Sequence, residues 1–260
     1  MTKLLFYFLF QGEPMSDKKN TLALLGEDAP QEIADALRAL GFSARALPCD
    51  SRLATPVRSH ADMLMLPVGK VVFTSSEYLS VAEDIFKALE SLGYEIVACN
   101  AEIRSDYPHD VAFDALVLKS AIIARLDSLS DEIKTYATAM GIALLDSKQG
   151  YAKCSAVSVG ESAIITADMN IARAAEAAGG DTLLISAAPE AIRLEGYDYG
   201  FIGGASGVLE DTVYFTGDIS SHPDAERITE FCNAHKKKII SLSSEPLNDV
   251  GGIFFFPSVK

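Results

Sequence analysis

Basic residues are scarce in this chain of 260 residues. Lys and Arg number 22 against 36 Asp and Glu, and the formal net charge is −14. Nucleic acids and anionic membranes are held through Lys and Arg, so this balance argues against both as partners. It suits a small polar or cationic ligand, such as a guanidinium or an amine, and otherwise serves solubility. Cysteines are few: Cys49, Cys99, Cys154 and Cys232, none in a CxxC pair and none with a His at zinc-ligand spacing. No disulfide framework and no metal site is expected, and scattered thiols fit a reducing compartment, so the chain is expected to be cytoplasmic. Long apolar runs are missing as well. Leu4–Phe10 is about seven residues, too short to span a bilayer, and no small-residue cleavage site follows it. The polar "SDKKN" after Met15 looks like a natural start. Residues 1–20 are therefore expected to be a tail or a mis-called start, with an extra edge strand as the alternative, and residues 21–260 a single domain. What is plentiful is apolar residues, 49% of the chain, enough for a packed core rather than a disordered polymer.

That apolar content is rhythmic. "CSAVSVGESAIITAD" (154–168) and "GASGVLEDTVYFTGD" (204–218) share the order of small, acidic and β-rich positions: Glu161 falls with Asp211, Thr166 with Thr216 and Asp168 with Asp218. Five segments follow one grammar, an amphipathic helix, a break and a β-rich run. They are "PQEIADALRALG", "YLSVAEDIFKALESLG", "SDEIKTYATAMG", "NIARAAEAAGG" and "PDAERITEFCNAHKK", each with its following strand. Apolar residues at three- and four-residue steps, as at Val81, Ile85, Phe86 and Leu89, predict helices. Gly41, Gly93, Gly141 and Gly179 stand where a helix end favours a left-handed residue. Ser130 or Asp131, and Ser221 or Pro223, are plausible helix starts. Between the helical segments lie junctions with two β runs around a polar or Gly-rich patch, recurring about every 40 to 50 residues. About three β runs per helix exclude a helical solenoid and a doubly wound sheet. The pattern predicts an α/β protein, a five-bladed pseudo-symmetric propeller of ββαβ units with "GGIFFFP" (251–257) closing against the first unit.

This rhythm resembles the pentein fold of arginine deiminases, dimethylargininases and glycine amidinotransferases, which a non-enzymatic translation initiation factor shares. It is similar in particular to bacterial penteins that carry the fold without a known activity. The resemblance covers about Thr21 to Phe256 and rests on the fivefold pattern and its polar junctions. It implies that junction residues converge on a central channel, where carboxylates hold a guanidinium, a His moves protons and a Cys in the last junction attacks carbon. Asp62 in "HADMLML" resembles the carboxylate of an early junction, and His109 with Asp110 in "PHDVAF" offers an acid–base group beside a carboxylate. The last junction, Asn248 to Pro257, has no Cys.

The candidate ligand-binding residues are thus His60, Asp62, Asp110, Asn248 and Asp249. His60 and Asp62 share a face if their segment is a strand. Cys154 is the one junction thiol and, with His109, the candidate for catalysis; it shares its slot with Gly204 and Asp62. A bound phosphate is not expected at "GFIGGASG" because a strand rather than a helix follows; its glycines are read as permitting close backbone approach. His222 and His235 read as capping or surface residues, and "HKKK" (235–238) complements a helix dipole. The leading expectation is a pentein without deiminase or amidinotransferase chemistry that binds a small polar, guanidino or amine ligand in its channel, with no cofactor. The alternatives are an amidinotransferase- or deiminase-like enzyme with Cys154 as relocated nucleophile, and an interaction factor acting on a protein partner.

Overall fold

A computed structural model describes residues 18–259. The expected tail falls almost wholly outside the described residues. The chain enters on β1 (Thr21–Gly26), and α1 (Gln31–Ala39) carries it to β2 (Ser43–Leu47), which lies parallel to β1. A single helical turn, α2 (Ala61–Leu64), then opens a unit repeated along the chain. A hairpin β3 (Met65–Val68)/β4 (Val71–Ser75) is followed by α3 (Ser76–Val81), α4 (Glu83–Ser91) and β5 (Glu95–Cys99), which runs parallel to β4. The same order recurs in β6 (Leu116–Val117), β7 (Ala121–Ala124), α5 (Asp131–Met140) and β8 (Ala143–Asp146). It returns in β9 (Ala156–Ser158), β10 (Ala163–Thr166), α6 (Met169–Ala177) and β11 (Asp181–Leu184). After the short β12 (Ile192–Arg193) come β13 (Ser206–Leu209), β14 (Thr212–Phe215), α7 (Ala225–Ala234) and β15 (Lys238–Ser241). β16 (Leu247–Asn248) pairs with β12, and β17 (Phe254–Pro257) pairs antiparallel with β1, so the last strand completes the first sheet.

Among the described residues there are thus five three-stranded sheets, each with an antiparallel pair and a parallel strand reached through a helix. The middle strands β1, β4, β7, β10 and β14 are buried along their whole length. Their sequences are correspondingly near-continuous apolar runs, "AIIA" and "TVYF" among them, because both faces are covered. The outer strands β5, β8, β11 and β15 keep half-buried or exposed positions. The first strands of neighbouring sheets touch: β6 meets β9, β9 meets β13 and β13 meets β17.

A hydroxyl ties three of the hairpins to the residue that precedes each. Thr74 Oγ1 donates to the Leu64 carbonyl at 2.9 Å, Thr166 Oγ1 to Ser155 at 2.8 Å and Thr216 Oγ1 to Ala205 at 3.3 Å. In each case the acceptor is the residue just before the first strand of the hairpin, which explains why Thr166 and Thr216 coincide in sequence. Asp168 caps α6 by accepting the amides of Asn170 and Ile171, and Asp218 caps a short turn at Ile219–Ser221 by accepting that of Ser220. That turn takes up Ser221, so α7 starts later than either expected cap, with Asp224 at its N-terminus. The second helical segment is broken at Ala82 into α3 and α4. The four glycines expected to stop helices, including Gly141 at the end of α5, all have positive φ.

Candidate ligand-binding site

The two segments that coincide in sequence enter their strands through the same turn. Ser155 N donates to Tyr151 O, and fifty positions on Ala205 N donates to Phe201 O. Ala156 N donates to Lys153 O, matched by Ser206 N to Gly203 O. The turns lie against each other, with Gly204 N donating to the Cys154 carbonyl at 2.9 Å. Asp114, Cys154 and Gly204 each stand two residues before the first strand of a hairpin, so one slot in three units is filled in three ways. Before the first hairpin the slot falls on Met63 and not on Asp62 as expected, because His60 and Asp62 lie at a helical turn rather than on a strand. At Gly204 the slot must be empty: a Cβ there would fall inside the Asp249 carboxylate. This is the close approach that the glycine-rich stretch predicts, and the intruder is a side chain.

Cys154 is buried at the meeting point of Asp62 and Asp114. Its Sγ lies 3.0 Å from Asp62 Oδ2 and 2.9 Å from Asp114 Oδ2. Asp114 Oδ1 accepts the amides of Lys153 at 2.5 Å and Cys154 at 3.3 Å, which fixes the carboxyl plane. A thiol has one proton and can serve one of two carboxylates. Burial, and then the charge of Asp62, holds the Asp114 carboxyl well above the usual range. Burial followed by the charges of Asp114, Asp62 and Asp249 pushes the Cys154 thiol well above its ordinary value too. Both shifts favour the protonated forms and oppose a thiolate. The cluster's three ligand atoms lie within 4.8 Å of one another, so after losing those protons it could hold a divalent ion. Asp62 Oδ1 is buried and has no hydrogen-bond partner among the described residues.

Asp249 lies on the other side of Gly204. The β12–β16 pair carries it there: Asp249 N donates to Arg193 O, extending the pair. Asp249 Oδ1 accepts the Gly251 amide at 3.0 Å and Oδ2 that of Phe201 at 2.8 Å. Burial raises its pKa, opposed by His60, whose Nδ1 is 3.9 Å from Oδ1. The same strand pair positions the loop 194–200, closed by Gly200 N donating to Ile192 O, which presents Tyr197, Asp198 and Tyr199. Around these groups lies a cavity of about 200 Å³. Asp249, His60 and Cys154 line it with Tyr151, Phe201, Tyr197 and Tyr199, together with Asp198 and the apolar Val57, Met63 and Leu194. Tyr151 and Phe201, equivalent in the two turns, stack with centroids 6.2 Å apart and planes 29° apart. Tyr199 stands nearly perpendicular to Phe201, at 87° and 5.8 Å. A wider, open depression is lined by Arg125, Leu126, Asp127, Asp146 and Lys148; it is exposed, and Arg125 and Asp127 are already paired.

The structure therefore brings together four of the residues singled out by sequence, Cys154 with Asp62 and His60 with Asp249. Asp110 is buried beneath the cavity wall, with Oδ2 accepting the Tyr151 hydroxyl at 2.7 Å and Oδ1 without a partner. His109, its neighbour, is half-exposed and faces Arg104 and Asp106, with Nδ1 3.1 Å from Asp106 Oδ2, and does not line the cavity. Asn248 acts through its backbone, exchanging hydrogen bonds with the Thr216 hydroxyl. His222 accepts the Asp224 amide at the start of α7, and His235 sits 2.9 Å from Asp181 at its end. Sequence reading missed Asp114, Tyr151, Phe201 and the Tyr-Asp-Tyr loop. The signal for Asp114 was its place two residues before a strand, the same as that of Cys154. The signal for the loop was two tyrosines between glycines in an otherwise polar stretch.

A family model, described as a family of unknown function (DUF6873), matches residues 24–254. No curated protein matches the chain. Among solved structures the chain is similar to DDAH from Pseudomonas aeruginosa complexed with citrulline, at 9% identity over 91% of this chain and 98% of that one, with a TM-score of 0.51. It is similar to SxtG, an amidinotransferase from Microseira wollei, at 11% identity over 89% and 83% of the two chains, with a TM-score of 0.54. The inosamine-phosphate amidinotransferase StrB1 from Streptomyces griseus matches at 12% identity over 88% and 81%, with a TM-score of 0.53. At such identities the likeness is one of fold, and that fold is the one the sequence resembles, the pentein fold.

Proposed function

The chain belongs to the family of unknown function DUF6873, and we propose that it is a five-bladed pentein propeller binding a small cationic ligand at its centre without thiol chemistry. Five sheets of one order, the contacts between their first strands and the pairing of β17 with β1 support the ring. The observation that carries the ligand class is the charge around the cavity. Asp249 and Asp198 line it, Asp62 lies behind Cys154, and no Lys or Arg is among its described lining residues. Low-dielectric walls concentrate such a field, and a cation is the species it attracts.

A covalent reaction at Cys154 is disfavoured on the same grounds. Two carboxyl groups flank the sulfur and oppose formation of the thiolate that attacks carbon. The candidate partner His109 is turned toward Arg104 and Asp106. The last junction has no Cys to act instead. The amidinotransferase names of the structural neighbours make guanidino compounds and amines the first ligands to test.

Thermal unfolding with millimolar agmatine, arginine, putrescine and choline tests the proposal. A ligand at about a hundred times its Kd adds about 2.7 kcal/mol, so at least one cation should raise the Tm by several degrees while matched anions do not. No shift with any of the cations overturns the proposal.

A further inference from the structure

Resting on the reading of this cavity as a cation site, we infer that its ligand class is an alkylated ammonium, a trimethylammonium head on a short tail, rather than a guanidinium. A guanidinium is recognised by the free forked edge of a carboxylate, two oxygens accepting two parallel N–H bonds. The buried carboxylate that lines the cavity is Asp249, and each of its oxygens already accepts a backbone amide, from Gly251 and from Phe201. The buried carboxylate oxygens without a partner, on Asp62 and Asp110, belong to residues that do not line the cavity. The cavity thus offers one buried carboxylate whose two oxygens each already accept a backbone amide, and one exposed carboxylate, Asp198. It also supplies aromatic surface. Tyr151 and Phe201 form one wall, Tyr199 stands at right angles to it, and Tyr197 joins them at the mouth. A quaternary ammonium donates no hydrogen bond, spreads its charge over methyl groups and is attracted by the faces of aromatic rings. Val57, Met63 and Leu194 complete a lining that suits methyl groups.

The mouth residues also make the inference testable without disturbing the core, since Tyr197 is 49% exposed and Tyr199 47%. Calorimetric titration of the full chain with tetramethylammonium, choline, agmatine, guanidinium and the neutral carbon isostere of choline, dimethylbutanol, separates the outcomes. Choline and tetramethylammonium should bind, with dimethylbutanol, agmatine and guanidinium at least about tenfold weaker. Tyr199→Ala should weaken choline about tenfold while Tyr199→Phe keeps the affinity, and Tyr197→Ala should act in the same direction. Agmatine or guanidinium binding as tightly as choline overturns the inference and leaves the cation site standing. Dimethylbutanol matching choline, or full affinity in both alanine variants, overturns it as well. If none of the cations binds, the cation site itself falls with it.

Discussion

A thiol wedged between two carboxyl groups is unusual chemistry for a protein interior, because every group in it is an acid. Between the ordinary pKa of an aspartate and the raised pKa of Asp114, the folded chain holds a proton that the unfolded chain releases. Stability therefore falls as pH rises across that window. Asp114→Asn keeps an oxygen for the Lys153 and Cys154 amides and removes the titration. The variant should melt about 2–4 °C above the parent at pH 8, on the order of 1 kcal/mol, and the gap should close as pH falls toward 4. A variant that melts lower at pH 8 would show that Asp114 is a stabilising charge. At this scale the sequence located Cys154 by the slot it shares with Gly204, and Asp62 and Asp249 as polar groups of the junctions, although Asp62 lies one residue before that slot. It could not reveal orientation. His109 and Asp110 are adjacent in sequence, yet Arg104 and Asp106 hold one outward while Tyr151 holds the other inside.

The turns that precede β9 and β13 set the site at the scale of elements. Their equivalence places Tyr151 beside Phe201 and aligns Cys154 with Gly204, and the missing side chain at Gly204 gives Asp249 its place. Gly204→Ala should cost roughly 1–3 kcal/mol, as overpacking does, and should abolish cation binding. Paired with Asp249→Ala, the two stability losses should fall short of their sum by at least about 0.5 kcal/mol, since the second change removes the clash that the first creates. Denaturant unfolding of the four proteins measures this, and strict additivity would detach the glycine from the carboxylate. Helices and strands were legible here because their periods are local. The break at Ala82 and the late start of α7 were not, because neither Ala82 nor Asp224 caps its helix through a side chain that would mark the end.

Over the whole molecule, the repeated order of strands and helices follows from the apolar rhythm of the sequence, and the pairing of Phe254–Pro257 with β1 from its final apolar run. The cavity was beyond reach at that scale, since its aromatic wall is assembled from segments about fifty residues apart that meet only in the fold. No described helix is long and apolar enough to cross a membrane. The large excess of acid over base becomes specific only where Asp249, Asp198 and Asp62 gather around and behind one opening. The most direct test of that convergence is the crystal structure of the protein soaked with choline. The account predicts the ammonium head in the corner between Phe201 and Tyr199, beside Asp249. An empty cavity with choline bound elsewhere, or a cavity filled by the protein's own side chains, would contradict it.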